Sequence, residues 1–270
     1  MHIDRGAPIA LFLFPHQDDE FGVFFQIEKE RKLGRRICCV YVTDGSTTAD
    51  PMCRNAESKA VLQQLGVDPA DIWFTGQQLQ IADGALHAHV ERLAEWMDEF
   101  INSHPEIVSC YVPAWEGGHP DHDLLYAITV LLPALRDRLD MVRQFALYHG
   151  QECFGPFFRV LSPIPVNGPV ERQAVGWRTR MRYVRLCLAY PSQWRSWVGL
   201  FPFVCLRYLY DGAQQLQRVD SSVLSTPPHS GSLYYERRAF LDWPTLSDAV
   251  KRVKRRFTDV PGASPNICSE

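Results

Sequence analysis

The chain has 270 residues, a formal net charge of −3 and a hydrophobic content of 46%. That length suits one large domain or two small ones, at roughly 150 residues per domain, and the apolar content is enough for a substantial core. The mild acidity argues against a nucleic-acid partner, which needs a basic surface, and the apolar stretch 197–206 is too short to span a bilayer and contains Pro202.

Residues 8–14 are an apolar run, the pattern of a buried strand in a parallel sheet. The run leads into Pro15-His16-Gln17-Asp18-Asp19-Glu20, and 20–32 has helical character. The β-branched, Cys-rich segment 37–43 predicts a second strand. A helix over 50–65 closes at Gly66, a C-cap. A short strand is expected at 71–74. Over 86–101 the residues Leu86, Val90, Leu93, Ala94, Met97 and Ile101 form a helical stripe. A second apolar run, 107–113, precedes His119-Pro120-Asp121-His122-Asp123. Residues 124–139 read as a helix that Pro133 can kink, and 141–148 as a strand. Strands alternating with helices predict a Rossmann-like α/β fold, a mostly parallel sheet with right-handed crossovers.

After Gly150 the pattern loosens. Pro156, Pro163, Pro165 and Pro169 mark loops or short antiparallel strands. A helix is expected over 173–189, a turn-rich stretch over 221–231, a final strand over 232–235 and a closing helix over 243–256. The stretch 197–206 reads as a core segment in preference to a lid or an interfacial surface. The expected organisation is one domain over 1–260, with a core at 1–150 and a less regular part at 151–260 covering the site, then a tail at 261–270. The arginines at 172, 178, 180, 182, 185 and 195 read as solvated helix faces, with an anionic ligand as the alternative. Eight cysteines form no CxxC pair, and Cys38, Cys39 and Cys110 fall inside predicted strands, where a thiol serves as a small hydrophobe. Reduced core thiols and the absence of a signal-peptide pattern lead to the expectation of a cytoplasmic protein.

Taken alone, Asp18-Asp19-Glu20 is a helix-capping cluster. His119 and His122 alone are ordinary histidines. Both groups, however, follow apolar strands, and open α/β sheets bind ligands beyond the strand ends. Two His and one carboxylate make the three-ligand set of a catalytic zinc with an open position. The residues thus suggest a metal-dependent hydrolase. A dinucleotide site is disfavoured, because three acids stand where GxGxxG would be.

These motifs resemble those of the PIG-L/LmbE-like zinc-dependent N-deacetylases, whose hallmark is a strand ending in a His-Pro-Asp-Asp-Glu-like motif and a later His-Pro-Asp-His. Gln17 stands where proline is usual; residues 119–122 match in full. Thr43-Asp44-Gly45, Arg54 with Glu57, Leu65-Gly66 and Tyr190-Pro191-Ser192-Gln193 also fit. The resemblance is strong over 8–150 and weaker from there to about residue 195. It implies His16, Asp19 and His122 as Zn2+ ligands, a set that Fe2+ or Co2+ could also occupy. It implies Asp18 as the general base, and His119 as the group that meets the oxyanion or protonates the leaving amine, oriented and charged by Asp121. It further implies Arg54 as a substrate-binding residue, against the alternative of a surface ion pair with Glu57, and Asp44 near the site floor. Trp115 and Glu116 are candidates to line the pocket, and Tyr190 and His229 to gate it. The implied substrate is a small N-acetylated amino sugar or glycoconjugate. The first alternative is an amide with another scaffold or acyl group, and the second is a non-catalytic binding protein. Homo-oligomerisation is left open.

Overall fold

The computed structural model describes residues 6–46 and 50–258; the expected tail at 261–270 lies outside them. In chain order the described residues form β1 (Ile9–Phe14), α1 (Phe24–Lys32), β2 (Arg36–Tyr41), α2 (Pro51–Gln64), β3 (Ile72–Phe74) and α3 (Thr75–Gln78). Then come α4 (Val90–Asn102), β4 (Ile107–Pro113), α5 (Pro120–Leu131), β5 (Val142–Phe145), β6 (Tyr148–His149), β7 (Arg159–Val160) and β8 (Val170–Ala174). The chain ends in α6 (Trp177–Cys187), α7 (Trp194–Tyr210), β9 (Ala213–Arg218), α8 (Tyr234–Arg237) and α9 (Trp243–Thr258).

The main sheet runs β3-β2-β1-β4-β5-β9-β8. Its first five strands are parallel, and β9 and β8 are added antiparallel. β1 shows why this region must be central. Ile9, Leu11 and Leu13 point into one apolar core with α4, α5 and α9, while Ala10, Phe12 and Phe14 point into the other with α1, α6 and α7. A strand buried on both faces has no polar side to alternate.

Several boundaries differ from the sequence expectation, each for a local reason. The turn Asp19–Gly22 is a 3-10 segment, so α1 starts only at Phe24. The helix expected over 86–101 is split into a 3-10 turn, Leu86–Ala88, and α4. α5 begins at Pro120, a favoured first-turn proline, and breaks at Leu132, which precedes Pro133 and is extended. β5 stops at Phe145, and Tyr148–His149 pairs separately with β7. The segment expected as one helix over 173–189 divides between β8 and α6. The expected strand at 232–235 is instead the start of α8, where the Glu236 carboxylate accepts the Leu233 N–H at 2.9 Å and caps the turn. Residues 197–206 lie in α7, which buries Trp197, Val204 and Tyr208 and leaves its other face open, so the stretch is not simply core. β9, AQQLQR, gave no apolar signal. Its Gln214 and Gln217 are buried but satisfied, donating to the carbonyls of Gly22 and of Ile164 and Gly168. The second half therefore supplies sheet strands as well as a cover.

Candidate active site

From β1 the chain winds toward β2 and β3, whereas β4 and β5 lie on the other side, so the ends of β1 and β4 flank a topological switch point. The turn after β1 is tight. Asp18 has φ 114°, a left-handed conformation for a non-glycine residue, which costs about 1–3 kcal/mol. Glu20, fully buried, holds this turn: its carboxylate accepts the Asp18 N–H at 2.8 Å and the Tyr190 hydroxyl at 3.2 Å, and also the Tyr41 hydroxyl. The His16 N–H donates to Asp19 Oδ2 at 2.9 Å. After β4, His119 caps α5, its Nδ1 accepting the Asp121 N–H at 3.2 Å. One turn of helix then presents His122 to the same crevice.

Asp19 stands between two imidazoles. Its Oδ2 is 3.3 Å from His16 Nδ1 and its Oδ1 is 3.4 Å from His122 Nε2. Such separations match neighbouring donors around one ion with bonds of ~2.0–2.1 Å. His122 is completely buried, yet neither ring nitrogen has a hydrogen-bond partner. His16 is held from behind: Nε2 lies 3.2 Å from Asp121 Oδ2 and 3.1 Å from Asp83 Oδ1. A carboxylate on the rear nitrogen is the usual support of a ligating imidazole. His16, His119 and His122 also bring one ring nitrogen each within 4.8 Å of one another, so His119 is a further candidate donor.

The crevice is crowded with ionisable groups. Asp18, Asp19, Asp83 and Asp121 converge on it, and the fixed cation facing them is Arg54. Burial pushes the Asp18 carboxyl up to about 8 even though Arg54 opposes it. Burial works the same way on Asp19, but His122 and His16 outweigh it and hold Asp19 far below the usual range. Burial lowers His16, but the carboxylates of Asp83, Asp121 and Asp19 overcome it and raise the imidazole well above its ordinary value. Burial and the neighbouring His16 bring His119 down to about 4, so it is neutral near pH 7. Converging buried carboxylates, beside a buried imidazole whose Nε2 faces Asp19 without a hydrogen bond, are the environment a divalent cation would satisfy.

A pocket of about 550 Å3 opens over this cluster, lined near its floor by His16, Asp18, Asp19, Arg54, Asp83 and His119. Arg54 is buried and not a surface residue. Its Nη2 donates to the Gln17 carbonyl at 2.8 Å, and its Nη1 to the Gly45 carbonyl and Asp83 Oδ2, both at 2.9 Å. Glu57 does not pair with it; that carboxylate accepts the Ser192 N–H at 2.9 Å. Asp44 Oδ1 accepts the Asp83 N–H at 3.3 Å, so Asp44 shapes the loop behind the floor.

Other sequence expectations are corrected here. Asp121 does not pair its carboxylate with the His119 ring. It accepts from Gly84 N–H at 2.7 Å and approaches His16. Trp115 is 1% exposed and packs against Tyr126 and Trp243, leaving no face free for a ligand. Glu116 is fully buried and accepts the N–H groups of Leu147 and Tyr148, at 2.8 and 2.9 Å. Tyr190 is buried under Trp197, and His229 lies beside His149; neither lines the pocket. The walls come instead from residues the sequence did not single out: Phe21, Tyr148, Phe158, Leu200, Tyr234 and Phe240. Asp83 was also missed. Its sole sequence signal is the turn before Gly84.

Residues 11–132 match the family model PIG-L, described as GlcNAc-PI de-N-acetylase. No curated protein is detectably similar in sequence. Among solved structures, the antimicrobial reagent A40926 pseudoaglycone deacetylase superposes with a TM-score of 0.54 at 20% identity, over 81% of this chain and 98% of that one. The N,N'-diacetylchitobiose deacetylase from Pyrococcus horikoshii gives a TM-score of 0.57 at 14% identity, over 82% of this chain and 86% of that one. A zinc-inhibited form of a teicoplanin deacetylase gives 0.51 at 16%, over 68% and 84%. At these identities the likeness shows a shared α/β fold.

Proposed function

We propose that this protein is a metal-dependent hydrolase that removes an N-acetyl group from an amino sugar or glycoconjugate. The observation that carries the reading is His122: a fully buried imidazole with no hydrogen-bond partner, set against Asp19 and His16 below an open pocket. Those three residues would hold the ion, Zn2+ by ligand type, with Fe2+ or Co2+ also suited. When bound, the ion supplies Lewis-acid polarisation of the amide carbonyl and a lowered pKa for water.

The residues supply the proton transfers. Asp18 faces the pocket and accepts the proton of the attacking water. Its carboxyl is raised by burial, and a cation held beside it would favour the ionised form that a base requires. Because His119 Nδ1 accepts a backbone N–H, its Nε2 carries the proton. A neutral imidazole can donate that hydrogen bond to the charge growing on the carbonyl oxygen. This replaces the protonated imidazole expected from the motif. The amine cannot leave as an anion, and protonated Asp18 is the acid at hand to return the proton to it.

The deacetylase neighbours, including one for diacetylchitobiose, support a sugar-containing substrate. An amide with a larger apolar part is favoured by a separate observation, the wall of Phe21, Phe158, Leu200 and Phe240. Acetate release from a panel of N-acetylated amino sugars and glycoconjugates tests the reading. Asp18→Asn should cut turnover by about 10²–10⁴-fold, the range for a general base, with metal content unchanged. An Asp18→Asn variant with normal turnover would remove Asp18 from the mechanism.

A further inference from the structure

α7 is apolar on two sides. Trp197, Val204 and Tyr208 face the core. Trp194, Val198, Pro202 and Leu206 recur every four residues and share another face. That face is open: Trp194 is 60% exposed, Val198 68% and Leu206 48%. A contiguous exposed apolar stripe marks an interaction site. No described segment covers this one. Arg195, Ser196, Gly199 and Leu200 of the same helix line the pocket. Phe240, which lines the pocket, is itself exposed, and so are Phe154 and Phe157, close in sequence to the lining residue Pro156.

The charge along this part of the chain is one-sided. Between positions 172 and 210 the chain carries seven arginines and no Asp or Glu, although its net charge is −3. Arg172 and Arg207 pair with Asp211, and Arg182 with Glu28. Arg178, Arg185 and Arg195 are exposed and form no ion pair among the described residues. Two copies meeting through this face would oppose arginines to arginines. An anionic surface would not.

We propose that α7 docks on an anionic lipid surface, with Trp194, Val198, Pro202 and Leu206 at the headgroup boundary, the free arginines against lipid phosphates, and the pocket mouth beside the membrane. A basic, Trp-bearing amphipathic helix lies in the interface plane. No described helix is long and apolar enough to cross a membrane. The proposal stands independently of the hydrolytic reading, because its test needs no substrate.

The test is co-sedimentation of the full chain with vesicles of phosphatidylcholine alone and of phosphatidylcholine with phosphatidylglycerol. The wild type should bind the anionic vesicles at least about tenfold more tightly than the neutral ones, and added salt should weaken that binding. The triple variant Trp194→Ser, Val198→Ser and Leu206→Ser should lose binding by about tenfold or more, with an unchanged circular dichroism spectrum. Arg178→Gln with Arg185→Gln serves as a second variant and should lower binding to the anionic vesicles alone. Equal binding to both vesicle types, no binding by the wild type, or full binding by the triple variant would overturn the proposal. So would a concentration-dependent dimer that the triple variant abolishes while vesicle binding is absent.

Discussion

Asp18 carries two unfavourable features at once: a left-handed backbone and a carboxyl that burial pushes up to about 8. Both fit a residue held in place for chemistry. Asn tolerates positive φ and bears no charge. Asp18→Asn should therefore unfold no earlier than the wild type in the metal-free protein, as read by thermal melting, while turnover collapses. Arg54 is the opposite case, a buried cation with buried carboxylate partners. Arg54→Ala leaves Asp18 and Asp83 facing each other without it. The loss should be about 3 kcal/mol or more, the scale for breaking a buried pair, measurable by denaturant unfolding. A variant as stable as wild type would return Arg54 to a purely substrate-facing role. Much of the site was legible at this scale. His16, Asp18, Asp19, His119 and His122 sit in two dense motifs after apolar strands. Asp83 was not legible, because it comes from a turn with no strand before it and reaches the floor through Asp44. Asp121 was legible as a site residue but not in its contact, since sequence proximity to His119 does not reveal that its side chain turns toward His16.

The connection from β4 to α5 fixes where His119 and His122 stand. Gly118 makes it possible: a Cβ there would lie 1.9 Å from the Tyr148 carbonyl oxygen. Gly118→Ala must push this backbone away from β6. It should cost about 1–3 kcal/mol, as overpacking does, and weaken metal binding because the start of α5 shifts. Calorimetric unfolding alongside metal titration checks both, and an Ala variant with wild-type values in both would mean that this crossing is slack. Elements of the first half were readable because buried parallel strands and amphipathic helices leave strong apolar periods. β9 was hidden by its glutamines, whose burial depends on carbonyl partners far away in sequence. α8 was hidden because Leu233-Tyr234-Tyr235 has strand-like residues, and a capping contact from Glu236 decides the matter.

The molecule joins a regular parallel core to a second half that completes the sheet, walls the pocket and contributes Tyr183, Leu186, Trp197 and Leu216 to the core. The fold class was open to sequence reading because it rests on the first half; the pocket's shape was not, since it depends on long-range packing of α7 and α8. One titrating group in the second half gives a pH signature of the whole fold. His149 donates from Nε2 to the Ser162 carbonyl at 2.8 Å and accepts the Gln151 N–H at Nδ1, so its neutral form is satisfied. Burial brings it down to about 4, against about 6.5 in an unfolded chain. Between these values the unfolded state binds more protons, so stability rises with pH and is lost as pH falls from ~6.5 toward 4. His149→Gln should flatten that loss by an amount of order 2–3 kcal/mol, seen in urea unfolding at a series of pH values. An unchanged slope would mean that His149 already protonates in the folded protein. The claim on which the functional account turns is the ion held by His16, Asp19 and His122. Calorimetric titration of the metal-stripped chain with Zn2+ addresses it most directly. One site per chain is predicted, abolished in His122→Ala and retained in His119→Ala. No binding by the wild type, or binding that survives His122→Ala but fails in His119→Ala, would contradict it.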